Sequence, residues 1–291
     1  MINLQQEKIE LVVASIESCY TQTYGRLNPQ YGNILGWIAR QALENISNTD
    51  ALYHNIEHTV MVALAGQEIL RGKHLREGGV TPHHWLQFMT ACLCHDIGYV
   101  RGVCRNDRGG HFDNGFGEML AAPAGCSDAS LTPYHVDRGK LFVRERFSSN
   151  MIEDAMDMEL VCDYIEKTRF GAADLSRDED ISAYPALVQA ADFIGQLGDP
   201  SYLRKIPALY YEFQEIGVLE QLGYTSPGAM RTGYAQFFWR MVSPRIQGAL
   251  HYLNVSHQGK QWVASLYAHV FTVEHHCDAT STKTPDGIFF E

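Results

Sequence analysis

Apolar positions recur at intervals of three and four along most of the chain, the period of a helix buried on one face. Ile9, Val12, Val13 and Ile16 carry the pattern through residues 5–24. A break at residues 25–32, containing Asn28-Pro29, precedes its return at about residues 34–46. Ser47-Asn48-Thr49-Asp50 supplies turn and capping chemistry. A third helix is expected over roughly residues 50–71, or from about Asn55, followed by a polar connection at 72–79. Thr81-Pro82 then offers an N-cap and a first-turn proline. Trp85, Phe88, Met89, Cys92 and Leu93 follow at helical spacing, and Gly98 is the kind of residue that ends such a helix. Later helices are predicted at about 134–147, 151–169, 184–198, 201–216, 227–253 and 257–276, with Pro244 interrupting or kinking the penultimate one.

Two stretches break the pattern. Residues 100–132 hold six glycines (102, 109, 110, 115, 117 and 125) with Arg101, Arg105 and Arg108, and neither the helical nor the strand period survives there. A long irregular segment inside a compact domain is usually functional, often as a lid. The tail, residues 280–291, also reads as irregular. With no repeats, no low-complexity linker and no set of alternating strands, the fold class predicted is all-α, in a single domain. Residues 51–216 form its core, residues 1–50 are N-terminal helices packing on that core, and residues 217–291 are C-terminal helices completing it.

Composition narrows the function. Of 291 residues, 45% are hydrophobic and 20% charged, as in an ordinary globular protein with ample core. Lys+Arg 23 against Asp+Glu 34 gives a formal charge of −11, which argues against a nucleic-acid partner, since such binding needs a basic surface to displace counterions. A small phosphorylated substrate is compatible with that balance if bound metal supplies positive charge locally. No apolar run approaches the roughly 18 residues of a membrane span, so no membrane partner is expected. The first residues, Met1 to Glu7, lack the basic and apolar segments of a secretory signal. Seven scattered cysteines, an odd number without zinc-knuckle spacing, read as reduced packing residues of a cytoplasmic protein. A homodimer is an open option for its assembly.

Three polar interruptions of apolar helices stand out. His95-Asp96 closes the apolar run of the fourth helix. A carboxylate there needs a partner, because burying it alone is very costly. Either the pair ligates a divalent cation, or His95 caps helix carbonyls and Asp96 caps the next segment. Upstream, Tyr53-His54-Asn55-Ile56-Glu57-His58 sets two histidines four residues apart, on one face of a continuous helix. With Asn55 as N-cap instead, His58 lies in the first turn and His54 just before it. Downstream, Asp192 interrupts a nearly apolar helix and shares its face with Val188, Ala191 and Gly195. That Asp caps a neighbour, pairs with an arginine or ligates metal. Together His58, His95, Asp96 and Asp192 supply two imidazoles and two carboxylates, a mixture that divalent ions accept with water completing the sphere.

The order His, His-Asp, Asp on helices resembles the HD-domain metal-dependent phosphohydrolases. More narrowly, Tyr53-His54-Asn55-x-x-His58 with Val62 nearby is similar to the signature of class I cyclic-nucleotide phosphodiesterases. The resemblance covers about residues 53–200 and implies a helical bundle of the HD/phosphodiesterase type. It implies His58, His95, Asp96 and Asp192 as ligands to one or two divalent ions (Mg, Mn, Zn, Fe or Ni), and His54 as the general acid. Where the phosphodiesterases carry a further Asp-His after the His-Asp pair, this chain has Ile97-Gly98-Tyr99, closer to the wider superfamily. Gln236-Phe237-Phe238 is the one candidate for a purine clamp.

The expected reaction is hydrolysis of a nucleotide or cyclic nucleotide by metal-activated water, with His54 protonating the departing alkoxide. Glu57 is a candidate to orient His54, the alternative being an exposed acid at the helix start. Arg101 and Arg105 are candidate phosphate contacts; His111 and His135 are candidate additional ligands. Two rivals stand beside this reading: a di-iron HD-domain oxygenase, which requires both His111 and His135 or equivalents, and a non-catalytic HD module that binds a nucleotide or protein.

Overall fold

In the computed structural model, residues 3–148, 152, 154–169 and 180–279 are described. Helix α1 (Leu4–Tyr24) begins where the Asn3 side chain accepts from the backbone of Gln5 and Gln6, and it buries Ile9, Val13, Ile16 and Tyr20. Helix α2 (Pro29–Ile46) starts five residues earlier than its apolar pattern suggests. Asn28, at φ 48°, turns the chain in the left-handed region and Pro29 presets the first helical φ.

Helix α3 (Ile56–Glu77) is the centre of the molecule, touching α1, α2 and four of the later helices. It continues through residues 72–77 of the expected connection at 72–79. Gly72 lies within the helix, and glycine is needed there because the backbone of Tyr252 passes so close that a Cβ would lie 2.1 Å from its carbonyl oxygen. The helix ends at Gly78, φ 68°. Helix α4 (Pro82–Cys94) has the predicted start, a reciprocal cap in which Thr81 Oγ1 accepts from the His84 amide. It stops at Cys94, short of Gly98, and a single 3₁₀ turn (Ile97–Tyr99) follows.

The glycine-rich stretch contains a small antiparallel hairpin, β1 (His111–Asp113) with β2 (Met119–Ala121). Strands of three residues are too short to display alternation, so the pattern misses them. Five more helices follow: α5 (His135–Phe147), α6 (Met158–Glu166), α7 (Tyr184–Leu197), α8 (Tyr202–Glu215) and the one-turn α9 (Leu219–Leu222). Of the helix expected at 151–169, the described part begins at Met158 under an Asp157 cap. The long helix expected at 227–253 is instead α10 (Pro227–Thr232), α11 (Tyr234–Phe237), a π turn (Phe238–Val242) and α12 (Ser243–Leu253). Pro244 sits in the first turn of α12, where its missing N–H costs nothing. Helix α13 (His257–Ala279) closes the described chain; the tail at 280–291 lies outside the described residues.

The architecture is all-helical and single-domain apart from that hairpin. Among the described residues no helix is long and apolar enough to cross a membrane. Cys19, Cys92, Cys94, Cys104, Cys126 and Cys162 are free thiols, five of them buried.

The contact that matters most for function is α3 against α7. Gly195 allows it: a Cβ there would lie 2.6 Å from the Val62 backbone nitrogen. Gly66 does the same against α4, with a Cβ 2.8 Å from Cys92 Sγ. A Gly195→Ala variant is expected to lose about 1–3 kcal/mol through overpacking. Urea denaturation reads this; an unchanged midpoint would mean that α3 and α7 part freely.

Candidate metal centre

Each candidate ligand is delivered by a helix end or a helix face. Asn55 Oδ1 accepts from the Glu57 amide at 2.9 Å, so α3 starts after Asn55 and His58 lies in its first turn. His95 is the C-cap of α4, and its Nδ1 contacts the Cys92 carbonyl at 2.9 Å. That bond assigns the ring proton to Nδ1 and leaves Nε2 as the lone-pair nitrogen. Asp96 follows at the helix-to-3₁₀ junction, and Asp192 projects from the middle of α7.

These side chains converge. His58 Nε2 and His95 Nε2 are 3.3 Å apart. Asp96 Oδ2 lies 3.2 Å from the first and 3.1 Å from the second. Asp192 Oδ1 lies 3.2 and 3.6 Å from the same two nitrogens. His58, His95 and Asp96 are almost wholly buried, whereas the Asp192 side chain is 21% exposed and marks the side nearer solvent.

The donor set fits a divalent cation. Ligand atoms bound at about 2.1 Å to an octahedral ion sit about 3 Å from their neighbours, close to the 3.1–3.6 Å separations here. Asp96 Oδ2 is close to both imidazole nitrogens yet has no well-aligned hydrogen bond, and His58 Nδ1 is buried without a partner. Buried polar atoms rarely stay unsatisfied without a reason such as an ion.

Electrostatics point the same way. Burial opposes charge on His95, but the Asp96 carboxylate, then Asp192 and the Cys92 carbonyl, push its pKa up to about 9. His58 is likewise raised by Asp192 and Asp96 against its burial. Burial would raise Asp96, yet His95 and His58 hold it well below the carboxylate range. The cluster demands positive charge, which protons on the rings or a cation can supply.

Beside the cluster, His54 Nδ1 meets Glu212 Oε2 at 2.5 Å. Glu212, from α8, is 2% exposed, and its other oxygen accepts from the backbone of Tyr53 at 2.6 Å and His54 at 3.2 Å. Burial works against a charged His54, and Glu212 overcomes it, so the pKa is raised. Reading the sequence missed Glu212 in favour of Glu57. Glu57 is exposed and pairs with Lys205 at 2.9 Å. The available signal was Glu212 falling three residues after Leu209 and six after Ile206, on the buried stripe of α8.

The remaining candidates divide. His135, first residue of α5, places Nε2 3.8 Å from Asp96 Oδ1 and ties Nδ1 to the Thr132 carbonyl at 2.6 Å. Burial lowers its pKa. His111 is exposed on β1, bonded to its own Gly109 carbonyl, and has no contact with the cluster. Arg101 is held by Asp50 and Asp128, while Arg105 is engaged with Glu145, the one by its side chain and the other by backbone and side chain. These contacts brace the glycine-rich segment. Of the candidate purine clamp, Phe238 is fully buried against Tyr234, Trp239 and Tyr267 and belongs to the core, Phe237 is half-buried and Gln236 is exposed.

Between His54 and His135 stands Tyr99, whose ring stacks on the first at 4.6 Å and 14° and on the second at 4.5 Å and 16°. The segment Ile97-Gly98-Tyr99 thus occupies the heart of the site.

A family model described as Npun_R2479-like matches residues 2–276 of the chain. No curated protein and no solved structure matches it.

Proposed function

The chain belongs to the Npun_R2479-like family, and we propose that it is a metal-dependent phosphohydrolase of the HD-domain, phosphodiesterase-like kind. Its substrate in this reading is a nucleotide or cyclic nucleotide, and its cofactor one or two divalent ions. The observation that carries it is the meeting of His58, His95, Asp96 and Asp192 around one point, with a fifth side chain, His54, held beside them by a buried carboxylate.

Bound there, a divalent ion would lower the pKa of a coordinated water and neutralise phosphate charge. His58 Nε2, His95 Nε2, Asp96 and Asp192 are the groups that would hold it. The protein's own contribution to the chemistry lies in His54. Its Nδ1 proton is engaged by Glu212, and the raised pKa favours the imidazolium. Nε2 is left to give its proton to the oxygen leaving phosphorus, and Glu212, fixed by two backbone amides, keeps the ring in place. Asp192, the most exposed ligand, marks the side from which a phosphoryl group approaches. The free thiols suit a reducing compartment, and the cytoplasm is the location this reading assigns.

His135 near Asp96 favours room for a second ion. It does not favour the oxygenase, because His111, the other imidazole which that reading required, stands away from the cluster.

Elemental analysis of the purified protein tests the proposal. At least one divalent ion per chain is expected, together with release of product from bis(p-nitrophenyl) phosphate or from cyclic nucleotides. A protein that takes up no Mn²⁺, Zn²⁺, Ni²⁺ or Fe²⁺ at saturating concentration would overturn it.

A further inference from the structure

The hydrolase reading has no use so far for Tyr99, although this ring is 1% exposed and lies between two of the site's histidines. We propose that Tyr99 is a positioning residue, a spacer ring that fixes His54 and His135 on opposite sides of itself and so sets the proton donor relative to the Asp96 face of the site. The inference rests on the hydrolase reading for what the two histidines do, and on the stack alone for how they are held.

The geometry behind it begins one residue earlier. Gly98 lies so close to α5 that a Cβ would sit 1.9 Å from the His135 carbonyl oxygen and 2.7 Å from the Gly139 nitrogen. Only a glycine lets the 3₁₀ turn press onto the first turn of α5. That approach brings Tyr99 flat against the His135 ring, and its opposite face meets His54 at nearly the same distance and tilt. His54 is independently tethered by Glu212 and His135 by the Thr132 carbonyl. Each imidazole therefore has one in-plane hydrogen bond and one stacked face, which removes the rotation about the ring axis that a hydrogen bond alone permits. Parallel rings at this spacing attract one another beyond their area burial, which favours one orientation of each.

A tyrosine that only filled space would tolerate any apolar group of similar size. A spacer ring would not, since its flat faces are what orient the histidines. The test therefore pairs Tyr99→Leu, which removes the ring, with Tyr99→Phe, which keeps it. The probes are Mn²⁺, bis(p-nitrophenyl) phosphate for the hydrolase reading, and 3′,5′-cyclic AMP for kcat and KM, because its alkoxide leaving group needs a proton; histidine-selective NMR of the ring C–H groups is the readout independent of activity. Wild-type protein is expected to show His54 and His135 ring protons shielded by the Tyr99 faces. Tyr99→Leu releases both sets together, retains its metal, and loses about 100-fold in kcat, the cost of misplacing a catalytic group by about an ångström. KM changes by less than about twofold, because binding is untouched. Tyr99→Phe keeps the shielded resonances and the turnover. If Tyr99→Leu does not fold, the wild-type and Tyr99→Phe spectra decide: unshielded rings in either overturn the spacer. Turnover surviving in a folded Tyr99→Leu overturns the role of Tyr99 alone. Wild-type protein that binds Mn²⁺ but releases no p-nitrophenolate overturns the hydrolase reading instead.

Discussion

Asp96→Ala is expected to purify without bound divalent metal and without phosphodiesterase activity, while His54→Ala keeps its metal and loses only turnover. Among the described residues Asp96 is the one carboxylate in contact with three imidazoles: Oδ2 lies 3.2 Å from His58 and 3.1 Å from His95, and Oδ1 lies 3.8 Å from His135. Its removal takes the buried negative charge from the middle of the cluster and leaves the imidazoles with Asp192, the most exposed of the four side chains, as the remaining carboxylate to draw a cation in. His54 is placed differently, since its backbone and ring hydrogen bonds both go to Glu212 and not to a candidate ligand. Loss of a positioned proton donor typically costs about 10²–10⁴-fold in rate, with no change in metal content. Elemental analysis beside initial rates separates the two variants. Normal metal in Asp96→Ala would break the ligand set.

Arg138→Met is the second large effect, this time on stability. Arg138 is fully buried in α5 and spends its donors on five acceptors: the carbonyls of Gly98, Val100 and Asp113, and both oxygens of Asp107. It therefore pins the glycine-rich stretch to the 3₁₀ turn that carries Tyr99. Asp107 in turn accepts from the amides of Gly102 and Asp113. Methionine fills the stem volume but leaves a buried carboxylate and three carbonyls unanswered, and breaking such a pair costs about 3–5 kcal/mol.

The pH dependence should change sign with the substitution. Burial alone would raise Asp107, but Arg138 and the backbone amides lower it below its ordinary value. A depressed folded pKa contributes stability above the unfolded value, near 3.9, which is lost as pH falls through the folded pKa. In Arg138→Met the burial effect is no longer opposed by the guanidinium, so the Asp107 pKa rises and protonation favours the folded form. The deficit of the variant relative to wild type should therefore shrink between pH 7 and pH 5. Urea midpoints at both pH values check this; a deficit that grows on acidification would contradict it.

Much of this was readable in the chain before any coordinates. Periodicity and caps located the helices around the site, since an Asn at position 55, a Thr-Pro at 81–82 and the apolar stripe from Trp85 to Leu93 are local signals with local causes. The polar residues that interrupt apolar stripes, His95-Asp96 and Asp192, pointed to one another because each needs a partner it cannot find on its own helix. Glycine was read less well. Gly72 looked like a break and Gly98 like a stop, yet both serve close approach of another segment, a property of the neighbour and not of the glycine.

By itself, then, the sequence determined the helical class, the starts of α3 and α4 and the candidate side chains for a cation, because these depend on residue type and spacing within a turn or two. Only the tertiary structure decided the rest. It chose Glu212 over Glu57 as the group on His54, brought His135 to Asp96 while leaving His111 outside, committed Arg101 and Arg105 to the frame, and stacked Tyr99 between two histidines. Those pairings join residues separated in the chain by as many as 158 positions, and they depend on how helices cross, a quantity to which no local pattern responds.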